Sequence, residues 1–189
     1  MLCFDFLKNL LHFFLALKIQ RRKLMRISEN LQKALNDQIK AELDSAYLYL
    51  GMANWLQGKN FSGMAHWFRV QAKEEQEHAM KIHDYLISRG VTPVLLSVEA
   101  PKTNWNSVAD VFKKAYEHEC DVTKMIYDLV DMATADKDYA GISMLQWFVN
   151  EQVEEEAQSC ELAETSAAIG EALPALMVFD QRLGARKED

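Results

Sequence analysis

From Met25 onward, apolar residues recur at steps of three and four along four long stretches. That spacing places them on one face of an α-helix. The first predicted helix runs from about Ser28 to Gln57, with Leu31, Leu35, Ile39, Glu42, Ala46, Tyr49, Ala53 and Leu56 on its stripe. A second begins near Phe61 or Ser62 and stops at Arg89, where Gly90 and Pro93 end it. Its stripe reads Phe68, Gln71, Glu75, His78, Ile82 and Tyr85. The third opens after Asn106 or Ser107, with Asp110 placed to return a capping bond, and continues to about Thr134. Val108, Phe112, Ala115, Glu119, Val122, Ile126, Leu129 and Ala133 form its stripe. The fourth starts at Asp136 or Asp138 and runs to about Ala168, before Gly170. Leu145, Phe148, Gln152, Glu155, Ser159, Leu162 and Ser166 line up along it. A short fifth helix, roughly Pro174 to Leu183, closes the chain.

The connections set the expected topology. A few residues join the first helix to the second and the third to the fourth, so each pair forms an antiparallel hairpin. By contrast, about fifteen residues, Gly90 to Asn104, separate the hairpins, with two prolines and the apolar run Val94-Leu95-Leu96. A link of that length can run along the bundle and set the third helix parallel to the second. The fold expected is all-α, a four-helix bundle with one long crossover and a short fifth helix, in one domain spanning residues 25–189.

Residues 1–24 follow another pattern. Leu2 to Leu17 is rich in Leu and Phe but is interrupted by Asp5, Lys8, Asn9 and His12, too short and broken for a spanning helix. The basic cluster Arg21, Arg22, Lys23 follows the apolar run, whereas a secretory signal carries its charge in front. Two readings stand: an extension upstream of a natural start at Met25, or an amphipathic helix that meets a membrane or a partner.

Composition narrows the function. With 189 residues, 49% of them hydrophobic, there is enough apolar material for one sizeable core. A net charge of −7 argues against a nucleic-acid groove and suits a protein that attracts cations. Cys3, Cys120 and Cys160 are odd in number and widely spaced, which suggests neither a disulfide framework nor a zinc site. A cytoplasmic, reducing location follows, with Cys120 and Cys160 expected as buried small hydrophobes.

What interrupts the stripes carries the chemistry. Glu42, Glu75, Glu119 and Glu155 put a carboxylate near the middle of each of the four core-facing stripes. Burying one such charge unpaired costs on the order of several kcal/mol, and four would also repel one another. One or two bound cations are the simplest remedy. His78 lies one turn from Glu75, so both can ligate one centre. Glu-x-x-His on one helix with single glutamates on others is a di-iron carboxylate pattern, and hard oxygen donors suit iron or manganese better than copper. His66, His83 and His118 lie off the stripes and read as surface or supporting residues.

The chain resembles the bacterial non-haem ferritins from Met25 to the C-terminal helix. The blocks that carry the likeness are Ala41-Glu42-Leu43, the run Lys73 to His78, Tyr116-Glu117-His118-Glu119, and the run Leu145 to Glu156. Bacterioferritins and rubrerythrin-like proteins carry a second Glu-x-x-His in the last block, where this chain has Gln152-x-x-Glu155. The resemblance implies a first iron site of Glu42, Glu75 and His78, with Glu75 bridging. It implies a second site of Glu119, Gln152 and Glu155, and a third adjacent site of Glu74, Glu151 and Glu154. Tyr49 corresponds to a tyrosine kept beside the centre.

Iron storage is the function implied: ferrous iron oxidised by dioxygen or hydrogen peroxide, then mineralised inside a homo-oligomeric shell of 24 subunits. No haem, nucleic acid or membrane partner is expected. The short fifth helix, which a four-helix bundle does not need for its own core, adds to the expectation of assembly. A di-iron oxidase that stores nothing, a bacterioferritin and a purely structural bundle are the rival readings.

Overall fold

The computed structural model describes residues 27–187, so the reading of residues 1–24 lies outside the described residues. Five helices follow one another: α1 (Glu29–Gly58), α2 (Ser62–Ser88), α3 (Val108–Ala135), α4 (Tyr139–Ile169) and α5 (Leu173–Leu183). Local chemistry explains where they begin. The Ser28 hydroxyl accepts from the Leu31 N–H at 3.1 Å, and the Asp138 carboxylate accepts from the Gly141 N–H at 3.2 Å. At the start of α3, Ser107 accepts from the Asp110 N–H at 3.1 Å. Asp110 returns its bond to the Asn106 N–H at 3.0 Å, one residue upstream of the cap. Each such cap stabilises its helix by about 1 kcal/mol.

The helices α1 and α2 form one hairpin, α3 and α4 the other. Between them the crossover climbs along α1. The Asn36 side chain accepts from the Val94 N–H at 2.6 Å, and Asp44 accepts from the Glu99 N–H at 2.8 Å. Farther on, the chain passes so close to α1 that a Cβ on Gly51 would lie 2.9 Å from the Lys102 carbonyl oxygen. From Asn36 to Gly51 the strap therefore covers about 22 Å of helix, which delivers α3 parallel to α2.

Two apolar clusters fill the bundle. Tyr49, Phe68, Phe112 and Phe179 belong to one, and Leu35, Ile82, Ile126 and Phe148 belong to the other. A belt of buried polar residues lies on the same stripes between them. Burying each large apolar side chain contributes about 2 kcal/mol, which lets the clusters offset the cost of the belt.

The fifth helix corrects one expectation: this bundle does use it for its own core. Leu176, Phe179 and Leu183 are buried against the first cluster, with Phe179 and Phe112 ring centroids 5.4 Å apart. The cap residue of α2, Phe61, offers no side-chain bond, and the Asp180 carboxylate takes over by accepting from the Met64 N–H at 2.8 Å. Close docking requires glycine at position 63, because a Cβ there would lie 1.8 Å from the Asp180 carbonyl oxygen. Cys120 and Cys160 are half-buried and free rather than buried.

Candidate metal centre

The polar belt takes one charged group from each long helix. Glu42 on α1, Glu75 on α2, Glu119 on α3 and Glu155 on α4 are all at most 9% exposed. Among the described residues, Glu42, Glu75 and His78 each turn a ligand atom towards one point, and these atoms lie within 4.8 Å of one another. His78 Nδ1 is 3.5 Å from a Glu75 oxygen, the short reach expected one turn along a helix. Edge-on contacts with Trp147 and Phe148, at centroid distances of 5.4 and 6.0 Å, fix the imidazole plane.

Amides tie the carboxylates in place. Gln38 donates to Glu42 at 3.0 Å. Gln71 donates through one Nε2 to Glu75 at 3.2 Å and to Glu155 at 2.8 Å, joining α2 to α4. Gln152 donates to the Glu119 carboxylate at 3.2 Å and to the Thr123 hydroxyl at 3.2 Å. The Tyr49 hydroxyl donates a short bond to Glu119. Behind Tyr49 stands His118, edge-on at 5.8 Å, with its Nε2 2.7 Å from the Ser45 hydroxyl.

Burial raises every one of these carboxyls. Desolvation and then the Glu75 charge push Glu42 up to about 8. Desolvation and then Glu119 push Glu155 up to about 7. Glu75 rises well above the ordinary range for the same two reasons, burial first and then Glu119. Burial raises Glu119 too, against the pull of the Tyr49 bond, and burial lifts Tyr49 well above the usual phenol. The metal-free belt thus holds protons that a cation would displace.

The remaining acids sit outside the belt. Glu74, Glu151 and Glu154 line one cleft of ≈ 370 Å³ whose wall also includes His78 and Glu155, so it opens onto the centre. Glu74 and Glu151 are half-buried, and Glu154 is exposed. Two partners of the site have no role in the sequence reading. Gln71 stood on the stripe without a function. Arg186, past the end of α5, donates to Glu74 at 2.5 Å and to Gln71 at 2.9 Å. No helical period marks Arg186, so only the fold could bring it here. His66 meets the Arg186 carbonyl oxygen at 2.9 Å, and His83 lies beside Asp84 at 3.0 Å.

Interior carboxylates from four helices, with one imidazole among them, define a cation-binding helical bundle built from hard oxygen donors. Comparison with known proteins specifies it further. Residues 32–166 match the model of the ferritin-like domain. The bacterial non-heme ferritin of Staphylococcus aureus (strain USA300) is 40% identical over 163 residues, covering 86% of this chain and 98% of that one. The corresponding protein of Staphylococcus haemolyticus is 39% identical over the same length. An open pore ferritin from the hyperthermophilic archaeon Archaeoglobus fulgidus superimposes with a TM-score of 0.84 at 46% identity, covering 86% of this chain and 99% of that one. A closed form engineered from the A. fulgidus ferritin gives 0.85 at 45% identity, with 87% and 100% covered. The chain belongs to the ferritin family. Iron storage is its function, and iron oxidation its chemistry.

Proposed function

We propose that Glu42, Glu75, His78, Glu119, Gln152 and Glu155 hold two ferrous ions as substrates of a ferroxidase reaction, with Glu75 between them. The observation that carries this reading is the convergence of Glu42, Glu75 and His78 within 4.8 Å, beside a Glu75–Gln71–Glu155 bridge. Each ferrous ion gives up one electron. Dioxygen takes two electrons and two protons and leaves as hydrogen peroxide; hydrogen peroxide as oxidant takes two electrons and two protons and leaves as two waters. The protein supplies positions, neutralising carboxylates and exclusion of bulk water, while the redox change belongs to the iron. Tyr49 holds Glu119 through its hydroxyl.

Glu74, Glu151 and Glu154 form a third, looser site in the cleft, through which ferric iron passes outward to hydrolyse and mineralise. Carboxylates that are partly solvated bind cations more weakly than the buried set, which suits transit. Storage needs a closed shell, so the chain works as a homo-oligomer, with 24 subunits as the family arrangement. The crossover leaves Val94 and Leu95 57% and 69% exposed, an apolar strip that a neighbouring subunit would cover. No described helix is long and apolar enough to cross a membrane, and the free cysteines Cys120 and Cys160 accord with the cytoplasm.

Size-exclusion of iron-loaded protein, followed at both protein and ferric absorbance, tests the whole reading. Ferric absorbance should elute with a shell-sized species. Elution as monomers or dimers, with iron in the low-molecular-weight fractions, would rule out storage.

A further inference from the structure

Arg186 stands out because a charged residue at the chain's end is held by four residues of α2. Its carbonyl oxygen accepts from His66 Nε2 at 2.9 Å, and its guanidinium lies 4.6 Å over the Trp67 ring centroid. One Nη1 donates to the Gln71 Oε1 at 2.9 Å and approaches the Trp67 carbonyl oxygen at 3.4 Å, while Nη2 donates to Glu74 at 2.5 Å. The side chain is 16% exposed, so little water screens it. A guanidinium only donates, which forces the Gln71 oxygen to face it and the Gln71 NH2 to face Glu75 and Glu155. Arg186 therefore touches the cleft with one nitrogen and sets the inner belt with the other.

We infer that Arg186 is a positioning residue that serves as a displaceable counter-ion. Its guanidinium, on the wall of the cleft, occupies the place beside Glu74 where a cation held by Glu74 would sit. A cation bound by Glu74 with Glu151 or Glu154 detaches Glu74 from Arg186, and the guanidinium leaves the Trp67 face. With Arg186 seated, the outer group is weak and Gln71 is locked; with Arg186 displaced, the outer group is filled and Gln71 is free to turn. The inference rests on the proposed transit role of the outer acids.

Zinc is the probe, since it binds the same donors without redox change. Assembled full-length protein is titrated with zinc by calorimetry, with tryptophan emission read in parallel. Removing the competing guanidinium in Arg186→Gln should tighten the outer zinc site about tenfold, the usual scale of coupling between two charged partners. Arg186→Lys should tighten it about threefold, because an ammonium can pair with Glu74 but cannot fork to Gln71. Wild-type protein should show an emission change as the outer site fills. In a Trp147→Phe background, needed because Trp147 lines the same cleft, Arg186→Gln and Trp67→Phe should both lose it, an outcome that a merely structural role for Arg186 does not produce. Outer zinc bound equally tightly by wild type, Arg186→Gln and Arg186→Lys overturns the inference and leaves the transit site standing. Zinc stoichiometry unchanged by Glu151→Ala with Glu154→Ala overturns both. Should Arg186→Gln fail to assemble, the Arg186→Lys isotherm decides alone.

Discussion

The two halves of the centre are held by different forces. In the half formed by Glu42, Glu75 and His78, ligand atoms converge within 4.8 Å, and one amide apiece, from Gln38 and Gln71, steadies the two carboxylates. In the half formed by Glu119, Gln152 and Glu155, both Glu119 oxygens are already committed. Tyr49 and Gln152 both donate to Glu119, and Gln71 donates to Glu155. A cation reaching the first half finds its ligands facing one point. A cation reaching the second must replace protein hydrogen bonds, so the first half should fill before the second.

The largest break comes from Glu75, which Gln71 links to the second half and which is proposed to lie between the two ions. Glu75→Ala should slow initial ferrous oxidation in stopped-flow traces by more than about a hundredfold, the upper range for losing even a partner of a ligand. The metal-free fold should hold or gain stability, because one of four mutually repelling acids is gone. Oxidation at the wild-type rate would remove Glu75 from the centre.

Acidity is shifted in both halves of the metal-free protein. Glu42 is raised from 4.5 to about 8 and Glu155 from 4.5 to about 7. A carboxyl whose folded value lies above its unfolded value binds its proton more tightly when folded. Its stabilisation is complete below about 4.5 and is lost as pH climbs through the folded value. The melting temperature should therefore fall by several degrees between pH 5 and pH 8, and zinc should restore it. Glu42→Gln should make the whole of that fall shallower, and Glu155→Gln only the part below about pH 7. A melting temperature that rises over this range would contradict the buried-acid account.

Tyr49→Phe sharpens the contrast without removing a ligand. Freed of its hydroxyl partner, Glu119 can turn to a cation, so the gap between first and second zinc affinities should narrow about threefold. Equal gaps in both proteins would mean that hydrogen bonding does not order the halves. The smallest effect on early chemistry belongs to Glu151→Ala with Glu154→Ala. The first oxidation of two irons per subunit should keep its speed, while oxygen consumed per iron and later core growth change. An oxygen electrode and ferric absorbance follow both, and no change in either would reduce these residues to surface charge.

Much of this arrangement is legible in the periodicity. Every stripe residue of α1, α3 and α4 is buried, as is every one of α2 except Tyr85, which is half-buried near the helix end. A step of three or four leaves a long helix few alternatives for its inner face. Periodicity is silent about partners distant in the chain. Gln71 looks like one more stripe residue until Arg186, 115 residues away, fixes which end of its amide faces the acids. The crossover's length announced a strap, but its path depends on Asn36 and Asp44 accepting backbone N–H groups. The place of α5 was equally hidden: composition marks where a helix starts, not which bundle end will receive it.

Gly63 shows how far that docking reaches. It touches no candidate ligand, yet it is the point where α2 and α5 meet backbone to backbone, with Gly184 on the other side. A single added methyl at residue 63 must push α5 away, taking Asp180 off the α2 terminus and Arg186 off Gln71 and Glu74. Drift among relatives at the acids themselves would be visible to anyone comparing metal ligands. Drift at this glycine would silence the same chemistry from a position that a search by ligands passes over.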